Sequence, residues 1–254
     1  MRYVIDTTDK RNVYVKNYLI KTGEQVFELK DIKLEELKEN DILVFAPSKK
    51  FEITFMESLP NKIKLICGNL DETLKQVILK KQIDYQNLME DEIFAVKNAS
   101  LTAEGVLAKI LELSPKSIYD NNILILGGGR IAVALAILFN KLGVKFAITS
   151  FNNIKFPRYY LYTPTCYYKQ EYLKHMKNYD IIVNTIPAKI LNDEDLTKIS
   201  TNTLFLETAS VKCLNEEKVK HFKYVNCPAL PTVYCFETAG RLMYQAIKGE
   251  NYYD

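Results

Sequence analysis

Ile123-Leu124-Ile125-Leu126-Gly127-Gly128-Gly129-Arg130-Ile131-Ala132 runs from an apolar strand through a glycine turn into an alanine-rich helix. Four consecutive apolar residues predict a buried parallel strand, and the turn reads G-x-G-x-x-A on Gly127, Gly129 and Ala132. Gly127 permits the tight turn, Gly129 lets the backbone approach a pyrophosphate, and Ala132 is small enough for the helix to pack on the strand. The helix predicted over Val133 to Leu142 aims its free N–H groups and positive dipole end at that phosphate. A dinucleotide site on Gly127, Gly128, Gly129, Arg130 and Ile131 is the expectation.

Downstream, Lys145 to Ser150, Asp180 to Thr185, Thr203 to Glu207 and Tyr224 to Asn226 read as further strands of the same sheet. The tip of the second strand separates the cofactors. NAD sites usually place an acidic residue there for the ribose 2′-OH, whereas this chain has Ser150 and Asn152 followed by Lys155 and Arg158. A 2′-phosphate suits hydroxyl, amide and basic groups and would be repelled by a carboxylate. NADP is therefore favoured, with NAD as the alternative. Asn184, Thr185, Ile186 and Pro187 end the next strand where the nicotinamide ribose emerges. Ala209 holds the corresponding place one strand further on. Leu230 and Pro231, in Cys227-Pro228-Ala229-Leu230-Pro231, form a rigid loop suited to wall the nicotinamide.

The first 95 residues or so also alternate strands and helices. Tyr3–Ile5, Gln25–Leu29, Asp41–Ala46 and Ile63–Gly68 read as strands, and Val13–Thr22 and Leu34–Glu39 as helices. Asp6-Thr7-Thr8-Asp9 stands where a glycine fingerprint would be needed, so this half has a substrate or interface role. Leu101, Val106, Leu107, Ile110 and Leu111 make one stripe of a helix over Ser100 to Leu113, capped by Ser100 or Thr102. The predicted architecture is α/β, with two doubly wound domains joined by a linking helix. Residues 1–97 form a flavodoxin- or Rossmann-like domain, 98–120 the linker and 121–236 the Rossmann NAD(P)-binding domain. Residues 237–254 form a C-terminal helix packing back toward the first domain.

At 254 residues and 48% hydrophobic, the chain can bury a large core, and a net charge of +3 spread along it argues against nucleic acid. Five cysteines without a C-x-x-C pair read as reduced thiols. No apolar run reaches the roughly 18 residues of a membrane span, and Met1-Arg2-Tyr3-Val4-Ile5-Asp6 does not read as a signal peptide. A soluble cytoplasmic protein with no membrane partner is expected. Rossmann enzymes of this size are commonly homo-oligomers, which is the expectation here. His175 and His221 sit in lysine-rich surroundings and read as surface residues, and no metal-ligand spacing occurs. The missing general base does not exclude hydride transfer, because the cofactor carries that chemistry.

Three segments resemble the family of the dipicolinate synthase A-subunit. They are Asn98-Ala99-Ser100-Leu101-Thr102-Ala103-Glu104-Gly105, Asn184-Thr185-Ile186-Pro187 with Ile190-Leu191, and Cys227-Pro228-Ala229-Leu230-Pro231 with Thr238-Ala239-Gly240. The resemblance implies NADP-dependent dehydrogenation of a dihydrodipicolinate-derived cyclic dicarboxylate to dipicolinate, with a second, flavoprotein-like subunit. It also implies that Asn98, Ser100, Thr102 and Glu104 line an interdomain cleft facing the nicotinamide. The chain departs from the family pattern at Ser210-Val211-Lys212-Cys213, at Thr232 and at Glu237, where a lysine is expected. The alternatives are another two-domain NAD(P)-dependent dehydrogenase of the shikimate or 2-hydroxyacid type, or a non-catalytic NAD(P)-binding regulatory subunit.

Overall fold

Two parallel sheets, each with its own core, organise the computed structural model, which describes residues 1–250. In the first, β1 (Arg2–Ile5), β2 (Gln25–Glu28), β3 (Ile42–Val44), β4 (Lys64–Cys67) and β5 (Asp84–Asn87) lie in the order β2-β1-β3-β4-β5. Helices α1 (Lys10–Lys21), α2 (Ile53–Ser58) and α3 (Glu72–Lys80) connect them. The inner strands are almost wholly apolar because helices cover both faces of a parallel sheet. Val4, Leu43 and Leu65 meet Met56, Leu74 and Ile78 in one buried cluster. Asp9 caps α1 by accepting from the Arg11 N–H at 2.9 Å. The chain then enters α4 (Glu92–Leu113), inside which the division between the two units falls.

The second unit spans Ala99–Tyr234. Its sheet runs β8-β7-β6-β9-β10-β11, from β6 (Ile123–Leu126), β7 (Phe146–Ser150), β8 (Cys166–Tyr168), β9 (Ile181–Asn184), β10 (Leu204–Glu207) and β11 (Lys223–Asn226). This is the strand order of a Rossmann domain. Successive residues of β6 alternate between two cores. Ile123 and Ile125 face Ala132, Leu135 and Phe139 of α5 (Arg130–Leu142), while Leu124 and Leu126 face Tyr172, Ile182 and Phe205. Both faces are therefore buried, which is why the strand reads as an unbroken apolar run. The short α6 (Asp193–Leu196) precedes β10. Between β6 and β9 the strand order reverses, and Leu126 pairs in register with Asn184. Ligands of open α/β sheets bind outside the carboxyl ends of the strands at such a reversal.

The predicted strands are present to within two residues at each end, but two strands escaped prediction. β5 (Asp-Tyr-Gln-Asn) and β8 (Cys-Tyr-Tyr) are edge strands, half-exposed over most of their length, and carry no aliphatic run. The helix expected to start at Ser100 begins instead at Glu92. Asp91 caps it by accepting from the Phe94 N–H at 3.0 Å, so Ser100 and Thr102 lie mid-helix and do not cap its start. The final helix, α7 (Phe236–Lys248), belongs to the first unit and packs on α1. Gly240 allows the contact, since a Cβ there would lie 2.5 Å from the Arg11 carbonyl oxygen and 2.6 Å from the Tyr14 Cβ. Residues 251–254 of the predicted C-terminal segment lie outside the described residues. Among the described residues no helix is long and apolar enough to cross a membrane.

Candidate functional site

The three glycines after β6 serve three different needs. Gly127 has φ +122°, and a Cβ there would fall 2.3 Å from Thr185 Oγ1. Its N–H donates to Thr149 Oγ1 at 2.9 Å. Gly128 lies beneath the Tyr159 hydroxyl, which a Cβ would meet at 2.2 Å. Tyr159 donates to the Gly128 carbonyl at 2.6 Å. Gly129 differs from both, because a Cβ built there meets nothing within 4 Å. Its missing side chain leaves open space beside the first turn of α5, where N–H groups have no partner within a helix. The buried Ala132 keeps α5 close to the strand. Of the three glycines, Gly129 is thus the one whose missing side chain no protein atom replaces.

The tip of β7 supplies the basic side. Ser150 is buried, and its hydroxyl accepts from the Asn152 N–H at 3.2 Å. Asn152 Oδ1 in turn accepts from the N–H groups of Ile154 and Lys155, both at 3.0 Å. Ser150 and Asn152 thus build the turn, while Lys155 and Arg158 project from it, exposed. No ion pair engages either basic side chain among the described residues. From Asn121 to Gln170 the chain contains no Asp or Glu to neutralise them.

At the ends of β9 and β10 the side chains look inward. Asn184 is fully buried, donating to Glu207 Oε1 at 2.6 Å and to the Ile186 carbonyl at 3.0 Å. Its own Oδ1 accepts from the Ile186 N–H at 3.1 Å. The side chain expected beside the nicotinamide ribose is instead engaged in holding its own strand end. Thr185 likewise donates its hydroxyl to the Leu126 carbonyl at 2.9 Å. Ile186 is half-buried, Pro187 exposed, and Ala209 buried with its N–H on Glu207 Oε1 at 3.2 Å. Glu207, within the segment the sequence singled out but assigned no role, anchors the cluster. Its other oxygen accepts from the Cys213 N–H at 2.8 Å. Burial first, then the neighbouring Glu207 charge, push the Cys213 thiol well above its ordinary value, so it stays protonated.

The four residues of α4 do not share one face. Spaced by two along a continuous helix, Asn98 and Thr102 stack on one side and Ser100 and Glu104 on the other. Thr102 is buried, Asn98 half-buried, and Ser100 and Glu104 exposed. Leu230 and Pro231 are buried, and Leu230 packs on α4 where a Cβ at Gly105 would lie 2.7 Å from its own Cβ. Glu237 is exposed in the first turn of α7, and Lys212 pairs with Glu216. A cleft of about 540 Å³ opens at the amino ends of β6 and β7, beside Lys145, Phe146 and Tyr162. It lies at the opposite edge of the sheet from the glycine turn. Among the described residues no cluster of His, Cys, Asp or Glu is placed to hold a metal ion.

No protein-family model matches the chain. It is 24% identical to the dipicolinate synthase A-subunit of Bacillus subtilis (strain 168) over 191 residues, 74% of this chain and 64% of that protein. The chain is similar to the dipicolinate synthase A-subunit. The alignment thus spans a little under two thirds of the curated relative. The crystal structure of the dipicolinate synthase A-subunit from Bacillus halodurans superposes with a TM-score of 0.85 at 20% identity, covering 97% of this chain and 96% of that one. Its Bacillus subtilis counterpart gives 0.78 at 19% identity, covering 98% and 95%. An NAD-dependent formate dehydrogenase from Staphylococcus aureus, solved with NAD, gives 0.62 at 12% identity, covering 98% and 94%. The two-domain α/β architecture, with a Rossmann unit, is common to all three.

Proposed function

We propose that the chain is an NADP-dependent oxidoreductase of the dipicolinate synthase A-subunit kind. It dehydrogenates a dihydrodipicolinate-derived cyclic dicarboxylate to dipicolinate. The observation that carries this reading is the glycine turn at the sheet reversal, whose third glycine opens onto space rather than onto protein. The nicotinamide, when bound, supplies the hydride acceptor. The protein binds and orients: the N-terminal turn of α5 faces phosphate, and Lys155 and Arg158 answer a 2′-phosphate. The Glu207–Asn184 pair holds the loops after β9 and β10 in place. Of the α4 residues, Ser100 and Glu104 share the exposed face and are the pair offered to substrate. Asn98 and Thr102 support the helix from the other side. The working assembly includes a second, flavoprotein-like subunit, as the resemblance implies, and copies of this chain, as is common for Rossmann enzymes of this size.

The test is a fluorescence titration of the purified chain with NADPH and with NADH, each with and without dipicolinate. Tighter NADPH binding that dipicolinate alters supports the whole reading. NADPH binding indifferent to dipicolinate keeps the oxidoreductase and removes the substrate. Failure to bind either nucleotide removes both.

A further inference from the structure

The hydrogen bond from Tyr159 to the glycine turn has a consequence for ligand binding. In a trans peptide the C=O and the following N–H point in opposite directions. No cis peptide occurs among the described residues. Fixing the Gly128 carbonyl therefore fixes where the Gly129 N–H points. Tyr159 holds that carbonyl from the buried side at 2.6 Å, and on the far side a Cβ at Gly129 would meet only open space. The Gly129 N–H donates to no acceptor within the protein among the described residues. We infer that Tyr159 is a positioning residue, clamping the 128–129 peptide so that the Gly129 N–H is aimed at the pyrophosphate of a bound dinucleotide. The inference rests on the dinucleotide reading of this site and names a device within it.

Three further observations support the clamp. Tyr159 is 3% exposed, so its ring is held in the core with Ile125, Ala132 and Ile148 and has little freedom to swing away. It sits in a 3-10 turn, Phe156–Leu161, entered through Pro157, which fixes the local backbone. Burial raises its phenol pKa against the opposing pull of Ser150 and Arg158, so the hydroxyl remains a donor at neutral pH. Gly128 is then explained as well. Any side chain there would displace the clamping hydroxyl, whereas a side chain at Gly129 would occupy the ligand's space. The middle and last glycines guard opposite faces of one peptide plane.

Tyr159→Phe removes the clamp while keeping the ring. The full-length variant is titrated beside wild type with NADPH and with adenosine 2′-monophosphate, which has the 2′-phosphate but no pyrophosphate. The expected result is NADPH binding weakened about tenfold with adenosine 2′-monophosphate binding unchanged. Gly128→Ala, which pushes the hydroxyl away, should reproduce the selective loss if Tyr159→Phe folds poorly. Equal weakening of both ligands, or NADPH binding at wild-type strength in the folded variants, overturns the clamp and leaves the dinucleotide reading intact. Wild-type protein that binds neither ligand overturns the dinucleotide reading and the clamp with it.

Discussion

Glu207, fully buried at the end of β10, accepts a 2.6 Å hydrogen bond from the side-chain amide of Asn184 at the end of β9. The pair joins two neighbouring strand ends, and the N–H groups of Ala209 and Cys213 complete the carboxylate's partners. A buried carboxylate is tolerated only where its oxygens are satisfied, and here three donors converge on it. Removing it strands those donors. Glu207→Ala should destabilise the protein by about 3 kcal/mol and Glu207→Gln by about 1–2 kcal/mol, because Gln keeps one acceptor oxygen. Urea unfolding of the two variants checks the order, and an alanine variant as stable as wild type would refute the role.

The glycines should separate stability from binding. At Gly127, φ +122° and the 2.3 Å approach to Thr185 make Gly127→Ala destabilising by about 2–4 kcal/mol. Gly129→Ala meets no atom within 4 Å at φ −86°, so its melting temperature should match or slightly exceed wild type. NADPH binding by Gly129→Ala should nevertheless fall tenfold or more, roughly the effect of displacing one charge-assisted contact. Thermal melts and nucleotide titrations on the same samples give both numbers.

Cofactor preference should rest on the loop after β7. Replacing Lys155 and Arg158 together with alanine removes two unneutralised charges from the carboxyl end of the strand. NADPH affinity should fall about tenfold or more and NADH affinity should hold, since only NADPH carries the extra phosphate. The wild-type preference should also shrink as salt rises, because exposed charges are screened. Equal losses for the two nucleotides would assign the lysine and arginine elsewhere.

Acid should weaken the first unit through its paired carboxylates. At Asp6, burial alone would raise the pKa, but hydrogen bonds from Lys49 and Thr8 outweigh it and hold the carboxyl below the ordinary 3.8. Glu28, bonded by Lys16, Thr7 and Lys30, falls to about 2. Folded-state values below the unfolded ones mean that the native protein releases these protons more readily. The stabilisation is then complete above the ordinary carboxylate range and is lost as pH falls through the folded values, from about 4.5 toward 2. Lys49→Met should flatten the Asp6 part of this acid limb and lower neutral-pH stability by about 1 kcal/mol. Urea midpoints measured across that range test both statements.

Residue order alone determined the class of fold and the place of the glycine turn. An apolar run buried on both faces and a glycine in a forbidden region of backbone space are local demands, and local demands are written locally. The inner strands and the G-x-G-x-x-A turn were legible for that reason. Edge strands β5 and β8 were not, because exposed strands need no aliphatic run. The start of α4 was hidden for a related reason: Asp91 caps it well before the apolar stripe begins. Tertiary structure alone decided what each glycine of the turn meets: Thr185 at Gly127, Tyr159 at Gly128 and open space at Gly129. Tyr159 reaches Gly128 across 31 residues and Glu207 reaches Asn184 across 23, separations that leave no periodic signature. Helix geometry, a local property, divided Asn98, Ser100, Thr102 and Glu104 between two faces. A motif contiguous in sequence becomes two pairs once 3.6 residues per turn are imposed on it.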